Sequence, residues 1–271
     1  MTGPRSPGAD DRARVAAQVR EQLGAIFRTI RRGPGTCGVC AGPATTPLCH
    51  QCDGHRRTYG PRLADLVVPL SYAVKGHQSG HHMYGYKGAL ASSEENRRDL
   101  KYLVLSAVHL HRHCIGAAVG RPWSAVTFVS SERRPGVTHP VVELAQQVVA
   151  DDPAAARLLL DPGPDLPAER REGPLPGRFV LAGKWRPQVR GRHVLVVDDT
   201  WVSGTKAQSA AIALKAAGAG AVTVLCVARW LDRAYEGHDA LISSLSGSYD
   251  ALLCPVTGRA CAPPPVTRDP A

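Results

Sequence analysis

Between His193 and Thr205 the chain reads His-Val-Leu-Val-Val-Asp-Asp-Thr-Trp-Val-Ser-Gly-Thr. An apolar run ends in two adjacent carboxylates, and a turn of small hydroxyl and glycine residues follows. Paired acids at a strand end can accept hydrogen bonds from the vicinal hydroxyls of a sugar. Amides at the start of a helix are free to surround a phosphate, and the positive end of the helix dipole favours the anion. Asp198 and Asp199 are therefore candidates for a ribose, and Ser203, Gly204 and Thr205 for a phosphate. Gly204 allows close backbone approach. Asp-Asp-Thr can also do no more than cap a helix. Strand, acid pair, Ser-Gly-Thr turn and alanine-rich helix together are more specific than a cap.

A second chemistry lies upstream. Cys37-Gly-Val-Cys40 and Cys49-His-Gln-Cys52 are two C-x-x-C units separated by eight residues. Zinc takes four tetrahedral thiolates, and a C-x-x-C turn presents both sulfurs on one side of a tight loop. Cys37, Cys40, Cys49 and Cys52 predict a closed structural zinc site with no ligand position left for water. Gly38, Gly42 and Pro43 suit the turns, and His50 and His55 read as surface residues. Cys114, Cys226, Cys254 and Cys261 are scattered. Cys226 lies in an apolar run and reads as core. Cys254 and Cys261 read foremost as separate thiols; a clip of the C-terminal loop or a second metal is the lesser alternative for the pair.

These groups need elements to hold them. A chain of 271 residues supports one substantial core and a small appended module. With aromatics at 5%, that core must be built mainly from Ala, Val and Leu. Apolar spacing at Val15, Val19, Leu23, Ile26 and Ile30 predicts a helix within 10–30. Strands are expected near Ala64–Pro69, Ala125–Ser130, His193–Val197 and Ala221–Ala228. Helices are expected near Glu95–His113, Pro140–Ala150 (with Thr138 as cap) and Gly204–Ala217, the last ended by Gly218. Residues 151–178, rich in Pro, Asp, Arg and Gly, read as a long loop or flap. His77, His81 and His82 read as a glycine-flanked loop that binds phosphate or metal or is simply polar. Strand, crossover helix and strand from His193 to Ala228 form a βαβ unit, so an α/β fold with a mostly parallel sheet follows.

The net charge of +10 favours polyanionic partners, whether phosphates, nucleic acid or acidic membrane surfaces, and does not choose among them. Arg-rich tails and loops carry part of it. No run approaches the roughly 20 apolar residues of a membrane span, and charges spread through the first thirty residues leave no signal-peptide core. A cytoplasmic protein with reduced thiols and no membrane partner is expected. The expected organisation is an N-terminal helix and flexible tail (1–35), a zinc knuckle (36–60), the main α/β domain (61–235) and a C-terminal extension (236–271), Pro-rich from Ala262.

The 193–206 segment resembles the phosphoribosyl-pyrophosphate (PRPP) signature of type I phosphoribosyltransferases, V-[LIV]-[LIV]-V-D-D-x-x-T-T-G-x-T. The resemblance implies a Rossmann-like parallel sheet. It gives Asp198 and Asp199 the ribose hydroxyls, and Val202, Ser203, Gly204, Thr205 and Lys206 the 5′-phosphate. Val202 and Lys206 stand where that pattern has its first and last Thr. A zinc knuckle ahead of such a domain resembles the ComF family, amidophosphoribosyltransferase-like proteins linked to DNA uptake. Tyr86-Lys87-Gly88 is similar to that family's Tyr-[Lys/Arg]-Gly element. Residues 129–140 take the place of its Pro-Val-Pro…Arg-Gly-Phe-Asn-Gln run but lack the Pro-Val-Pro and the Phe-Asn-Gln.

The resemblance implies transfer of phosphoribose from PRPP to a nitrogen acceptor, with Mg²⁺ carried by PRPP and with structural Zn²⁺; it leaves a homodimer open. Departing pyrophosphate needs positive charge and donors. Ser130, Ser131, Arg133 and Arg134, in the loop after the Ala125–Ser130 strand, are candidates, as is Lys87; a basic surface loop is the competing account. Trp230 either stacks on a base or anchors the N-terminal helix in a core. Two other functions stay open: a PRPP- or nucleotide-sensing regulator without turnover, and a DNA-uptake accessory that binds single-stranded nucleic acid.

Overall fold

The computed structural model describes residues 8–88, 91–130, 139–150, 155–165 and 173–261. In chain order the elements are α1 (Ala9–Leu23), β1 (Arg28–Thr29), α2 (His50–Tyr59), β2 (Leu66–Val74), α3 (Gln78–Gly85), α4 (Ala91–Val119), β3 (Ala125–Phe128), α5 (Val141–Gln146), β4 (Ala156–Arg157), β5 (Leu160–Pro162), β6 (Phe179–Leu181), α6 (Arg186–Val189), β7 (His193–Trp201), α7 (Thr205–Ala216), β8 (Ala221–Leu231) and α8 (His238–Ser244). Six strands form one sheet in the order β1-β2-β8-β7-β3-β4. All neighbours run parallel except β1, which pairs antiparallel to the edge of β2. The fold is α/β with a mostly parallel sheet.

Alternation along β7 explains why this strand lies at the centre. Leu195 and Val197 face the core built with α4 and α5, while Val194 and Val196 face the core that holds Ala207, Ala210, Ala211 and Leu214 of α7. Both faces are covered, so the run reads as continuously apolar. Small alanines let α7 lie close to the sheet. The helix α5 follows β3 on one face toward β4, and α7 follows β7 on the other face toward β8. The connections therefore diverge between β3 and β7, and their carboxyl ends flank a topological switch point, where open α/β sheets place ligands.

Several elements differ from the sequence expectations. The N-terminal helix stops at Leu23, and Arg28–Thr29 joins the sheet instead, leaving Phe27 and Ile30 buried beyond the helix. The strand expected at Ala64–Pro69 runs Leu66–Val74, with β1 pairing beyond Pro69 at Ser71 and Tyr72. His77 precedes a helix, and His81 and His82 lie on it: His82 Nε2 sits 3.3 Å from Asp99 Oδ2, which holds this segment on α4. The helix near 95–113 is longer and the one near 140–150 shorter than expected, while Thr138 lies outside the described residues. The expected flap contains edge strand β4 and strand β5, which pairs antiparallel with β6 just beyond it; Leu160, Phe179 and Leu181 of that ribbon cover the α7 side of the core. Val19 and Leu23 of α1, and Tyr249 and Ala251 of the expected C-terminal extension, belong to the same core as α4, while the first seven residues and the Pro-rich stretch from Ala262 lie outside the described residues. Among the described residues no helix is long and apolar enough to cross a membrane.

Candidate functional site at the carboxyl end of β7

The acid pair lies within the strand, not after it. β7 continues through Asp198 and Asp199 to Trp201, with Asp198 opposite Cys226 and Thr200 opposite Ala228 of β8. Both aspartates are buried. Strand alternation sends them to different faces, so they straddle the strand end rather than standing side by side. Asp199 turns toward α3: the Tyr86 hydroxyl donates to its Oδ2, and Lys87 Nζ lies 2.7 Å from the same atom. Asp198 stands on the side of Cys226 and α7, where Lys206, half-buried in the first turn of α7, adds positive charge to that of Lys87.

These environments separate the two acids electrostatically. Burial, with the negative charge of Asp199 beside it, pushes Asp198 up to about 7, against the pull of Lys87 and Lys206. Burial also works against ionised Asp199. There the charge and hydrogen bond of Lys87, the Tyr86 hydroxyl and nearby His139 together outweigh it and hold the carboxyl below its ordinary range. Burial and the adjoining Asp199 charge raise Tyr86, which keeps it a hydrogen-bond donor. One acid of the pair is firmly anionic, and the other exchanges a proton near neutrality.

The turn beyond β7 is built around Trp201. Its ring is buried, and a Cβ on Gly204 would lie 2.1 Å from Trp201 Cζ2. Gly204 also adopts φ +77°, so two independent constraints demand glycine there. Ser203 Oγ and Thr205 Oγ1 are 2.9 Å apart, and the Thr205 amide reaches Ser203 Oγ at 3.4 Å, which folds the hydroxyls over the start of α7. Val202 is 48% exposed and presents no hydroxyl. Ser130 is buried two residues beyond β3, next to Val129, whose amide donates to Val197 O at 2.9 Å, which places this stretch beside the end of β7. Ser131, Arg133 and Arg134 lie outside the described residues. An open depression lined by Arg121, Trp123 and His193 sits at the amino ends of β3 and β7, away from these groups and without a carboxylate.

Behind the turn lies a residue that sequence reasoning passed over. Arg229 and Trp230 are inside β8, not after it. The Arg229 guanidinium is buried, with Nη1 at 3.0 Å from Trp201 O, 2.9 Å from Val202 O and 2.8 Å from Trp230 O. It braces the turn from within. Trp230 is buried in the α1–α4 core, edge-on to Tyr84 at 5.2 Å, so its rings serve packing and not an open binding face. Arg97 likewise went unnoticed. It donates to the carbonyls of Tyr86 (2.9 Å) and Gly88 and so fixes the segment that carries Lys87 to the acid pair.

The cysteine knuckle packs against the same turn. The Sγ atoms of Cys37, Cys40, Cys49 and Cys52 all lie within 4.8 Å of one another. Cys40 and Cys49 are 3.8 Å apart, matching the edge of about 3.8 Å expected of a tetrahedron with Zn–S near 2.3 Å. Cys49 caps α2 and Cys52 sits in its first turn, while the Gly42 amide points at Cys40 Sγ from 3.4 Å. The donor set suits a soft divalent metal such as zinc. Gly42 lies against Arg229: a Cβ there would fall 2.5 Å from Nη2. Buried Tyr72 donates to Ala41 O at 2.7 Å, which fixes the knuckle to β2. His55 is buried on α2, unlike the surface position expected, and His50 is exposed. Cys226 is buried as expected.

No protein-family model matches the chain, and no curated protein does either.

Proposed function

We propose that the chain is a PRPP-dependent phosphoribosyltransferase of the type I kind, with the switch point between β3 and β7 as its active site. The observation that carries this is a buried acid pair at the carboxyl end of a central parallel strand, followed at once by a left-handed glycine and the start of α7. A pentose diol lying across the end of β7 meets a carboxylate from either face of the strand. Asp199, held anionic, accepts from one hydroxyl, and Asp198 accepts from the other when ionised. The amides of the turn and the Ser203 and Thr205 hydroxyls receive the 5′-phosphate. Lys87, beside Asp199, and Ser130, just beyond β3, are the groups proposed to meet pyrophosphate charge. Magnesium carried by PRPP would supply charge to neutralise the pyrophosphate, and the carboxylate oxygens of Asp198 and Asp199 would suit such a hard cation.

In the reaction the bond between C1 and the pyrophosphate oxygen breaks, and the oxygen keeps the electron pair. The acceptor nitrogen bonds to C1 from the opposite face and loses a proton. The Cys37/Cys40/Cys49/Cys52 site is assigned to structural zinc. A second reading, PRPP sensing without turnover, is favoured by one observation: exposed Val202 supplies no hydroxyl to the phosphate.

Calorimetric titration of PRPP–Mg²⁺ into wild type and Asp199→Asn, with pyrophosphate release followed for candidate amine and base acceptors, tests both. Weaker binding by Asp199→Asn together with release supports the transferase. Binding without release for any acceptor assigns a sensor. Equal affinity of the two proteins removes the sugar-binding role of the acid pair.

A further inference from the structure

On the far side of the sheet from the knuckle, four more soft donors converge. His111 and Cys114 lie one helical turn apart on α4, so both project from one face. Cys254 and Cys261 bracket the loop Cys254-Pro-Val-Thr-Gly-Arg-Ala-Cys261 near the C-terminus. The loop is closed by the Cys254 amide on Arg259 O (2.9 Å), the Gly258 amide on Cys254 O (2.7 Å) and a bridge between Leu253 and Ala260, with Gly258 at φ +71°. That closure brings both sulfurs to α4. One ligand atom from each of the four residues lies within 4.8 Å of every other. Cys261 Sγ is 3.4 Å from His111 Nδ1 and 2.9 Å from Cys114 Sγ.

The imidazole is already oriented for a ligand. His111 Nε2 lies 2.8 Å from Ala251 O, a carbonyl that can only accept, so Nε2 carries the proton. Nδ1 then presents its lone pair to the three sulfurs. Metal-bound histidines show the same arrangement, donating the other ring N–H to a backbone carbonyl that fixes tautomer and direction. The His111 side chain is buried.

We propose that His111, Cys114, Cys254 and Cys261 form a second, structural zinc site that fastens the C-terminal segment to α4. Three thiolates and one imidazole suit tetrahedral zinc, and four protein ligands close the site to water. A sulfur pair at 2.9 Å is well beyond the S–S bond of about 2.05 Å in a disulfide. It is shorter by about 0.9 Å than the edge of a zinc tetrahedron, so the two sulfurs must separate by that much when metal binds. The segment that the site would hold is part of the fold: Tyr249 donates to Leu70 O at 3.2 Å, and Ala251 lies in the core.

The test is metal content by plasma mass spectrometry on full-length protein purified under reducing conditions. Wild type is expected to carry two zinc per chain, and Cys261→Ser, Cys254→Ser/Cys261→Ser and Cys37→Ser/Cys40→Ser one each. Cobalt titration of metal-free wild type, followed by thiolate-to-cobalt absorption, should show two sites with distinct spectra, which keeps the test independent of how well each variant folds. One zinc per wild-type chain with a single cobalt spectrum overturns the proposal. So does a Cys114–Cys261 disulfide found by peptide mapping in protein carrying one metal.

Discussion

Replacing Gly42 with alanine should damage a turn that lies far from it in sequence. The added Cβ would fall 2.5 Å from Arg229 Nη2, 2.7 Å from Nε and 3.0 Å from Cζ. Gly42 does not have positive φ, so alanine strains nothing in its own backbone; the cost is passed to the guanidinium. Relief needs a shift of about 1 Å. From starting distances of 2.8 to 3.0 Å, that movement breaks the contacts of Nη1 with Trp201 O, Val202 O and Trp230 O. A hydrogen bond to a charged group contributes about 1.5–3 kcal/mol, and a buried guanidinium has no water to replace it. Losing one or two costs about 2–5 kcal/mol, which lowers Tm by roughly 5–15 °C in a chain of this size. The turn should also lose PRPP affinity by roughly tenfold or more, while the knuckle keeps its metal.

Differential scanning calorimetry, PRPP titration and metal analysis read the three effects. Gly54→Ala is the control, since its Cβ meets nothing within 4 Å on α2 and alanine suits a helix. If Gly42→Ala melts with wild type and binds PRPP equally, Arg229 does not connect the knuckle to the turn and the reasoning fails.

Two further outcomes follow from the site. Gly204→Ala combines φ +77° with a contact of 2.1 Å to a buried indole; the left-handed conformation alone costs about 1–2 kcal/mol. PRPP binding should be lost while circular dichroism shows a folded chain, and retained binding would show that the turn is not the phosphate cradle. For pH, the raised Asp198 carboxyl makes the folded state take up a proton that the unfolded chain has released. Its stabilising contribution is full below about 4, the ordinary Asp range, and is lost as pH rises through about 7. Asp199, held low, works oppositely: its contribution is present above the ordinary Asp range and is lost as pH falls through its depressed value. Asp198→Asn should therefore flatten the decline in denaturant-measured stability between about pH 4 and 7, and an unchanged slope would reject the raised value.

What the sequence disclosed depended on whether the signal was local. The βαβ unit, α7 with its glycine boundaries and the C-x-x-C pairs were legible because strand period, helix caps and ligand spacing lie within short windows. Strand lengths were not. β7 and β8 run on through Asp198, Asp199, Arg229 and Trp230 because each strand supplies the other's ladder, and polar residues at a sheet end look like loop in isolation. β1 was hidden for a similar reason: its two residues are strand only because β2 offers an edge. Tyr86-Lys87-Gly88 was visible as a motif, yet nothing local showed that its tyrosine and lysine meet Asp199. Arg229, His139 and His111 act across long sequence separations, where a lone Arg or His carries no spacing pattern, and Arg97, nine to eleven residues from its acceptors, is one arginine among several charges at the start of α4. An arginine near the end of an apolar strand was the one available hint, since a buried guanidinium must find acceptors.

Arg32 shows how the two thiol clusters and the sheet are joined. Its guanidinium donates to Gly38 O and Val39 O, both at 3.1 Å, within the first C-x-x-C unit. It also donates to Val67 O of β2 and, through Nε, to Pro255 O, each at 3.0 Å. Pro255 follows Cys254 directly, so one side chain touches the knuckle, strand β2 and the loop of the second cluster. The need for such links follows from composition. A core with few aromatics gains little area from any one peripheral segment, and segments as short as the knuckle or the 249–261 stretch bury too little apolar surface to offset the entropy of ordering them. With metal bound, soft-ligand clusters on both sides of the sheet, tied through Arg32, would hold those segments by bonds rather than by area. The turn beyond β7 is reached from that framework through Gly42 and Arg229, so the knuckle belongs to the architecture of the candidate site.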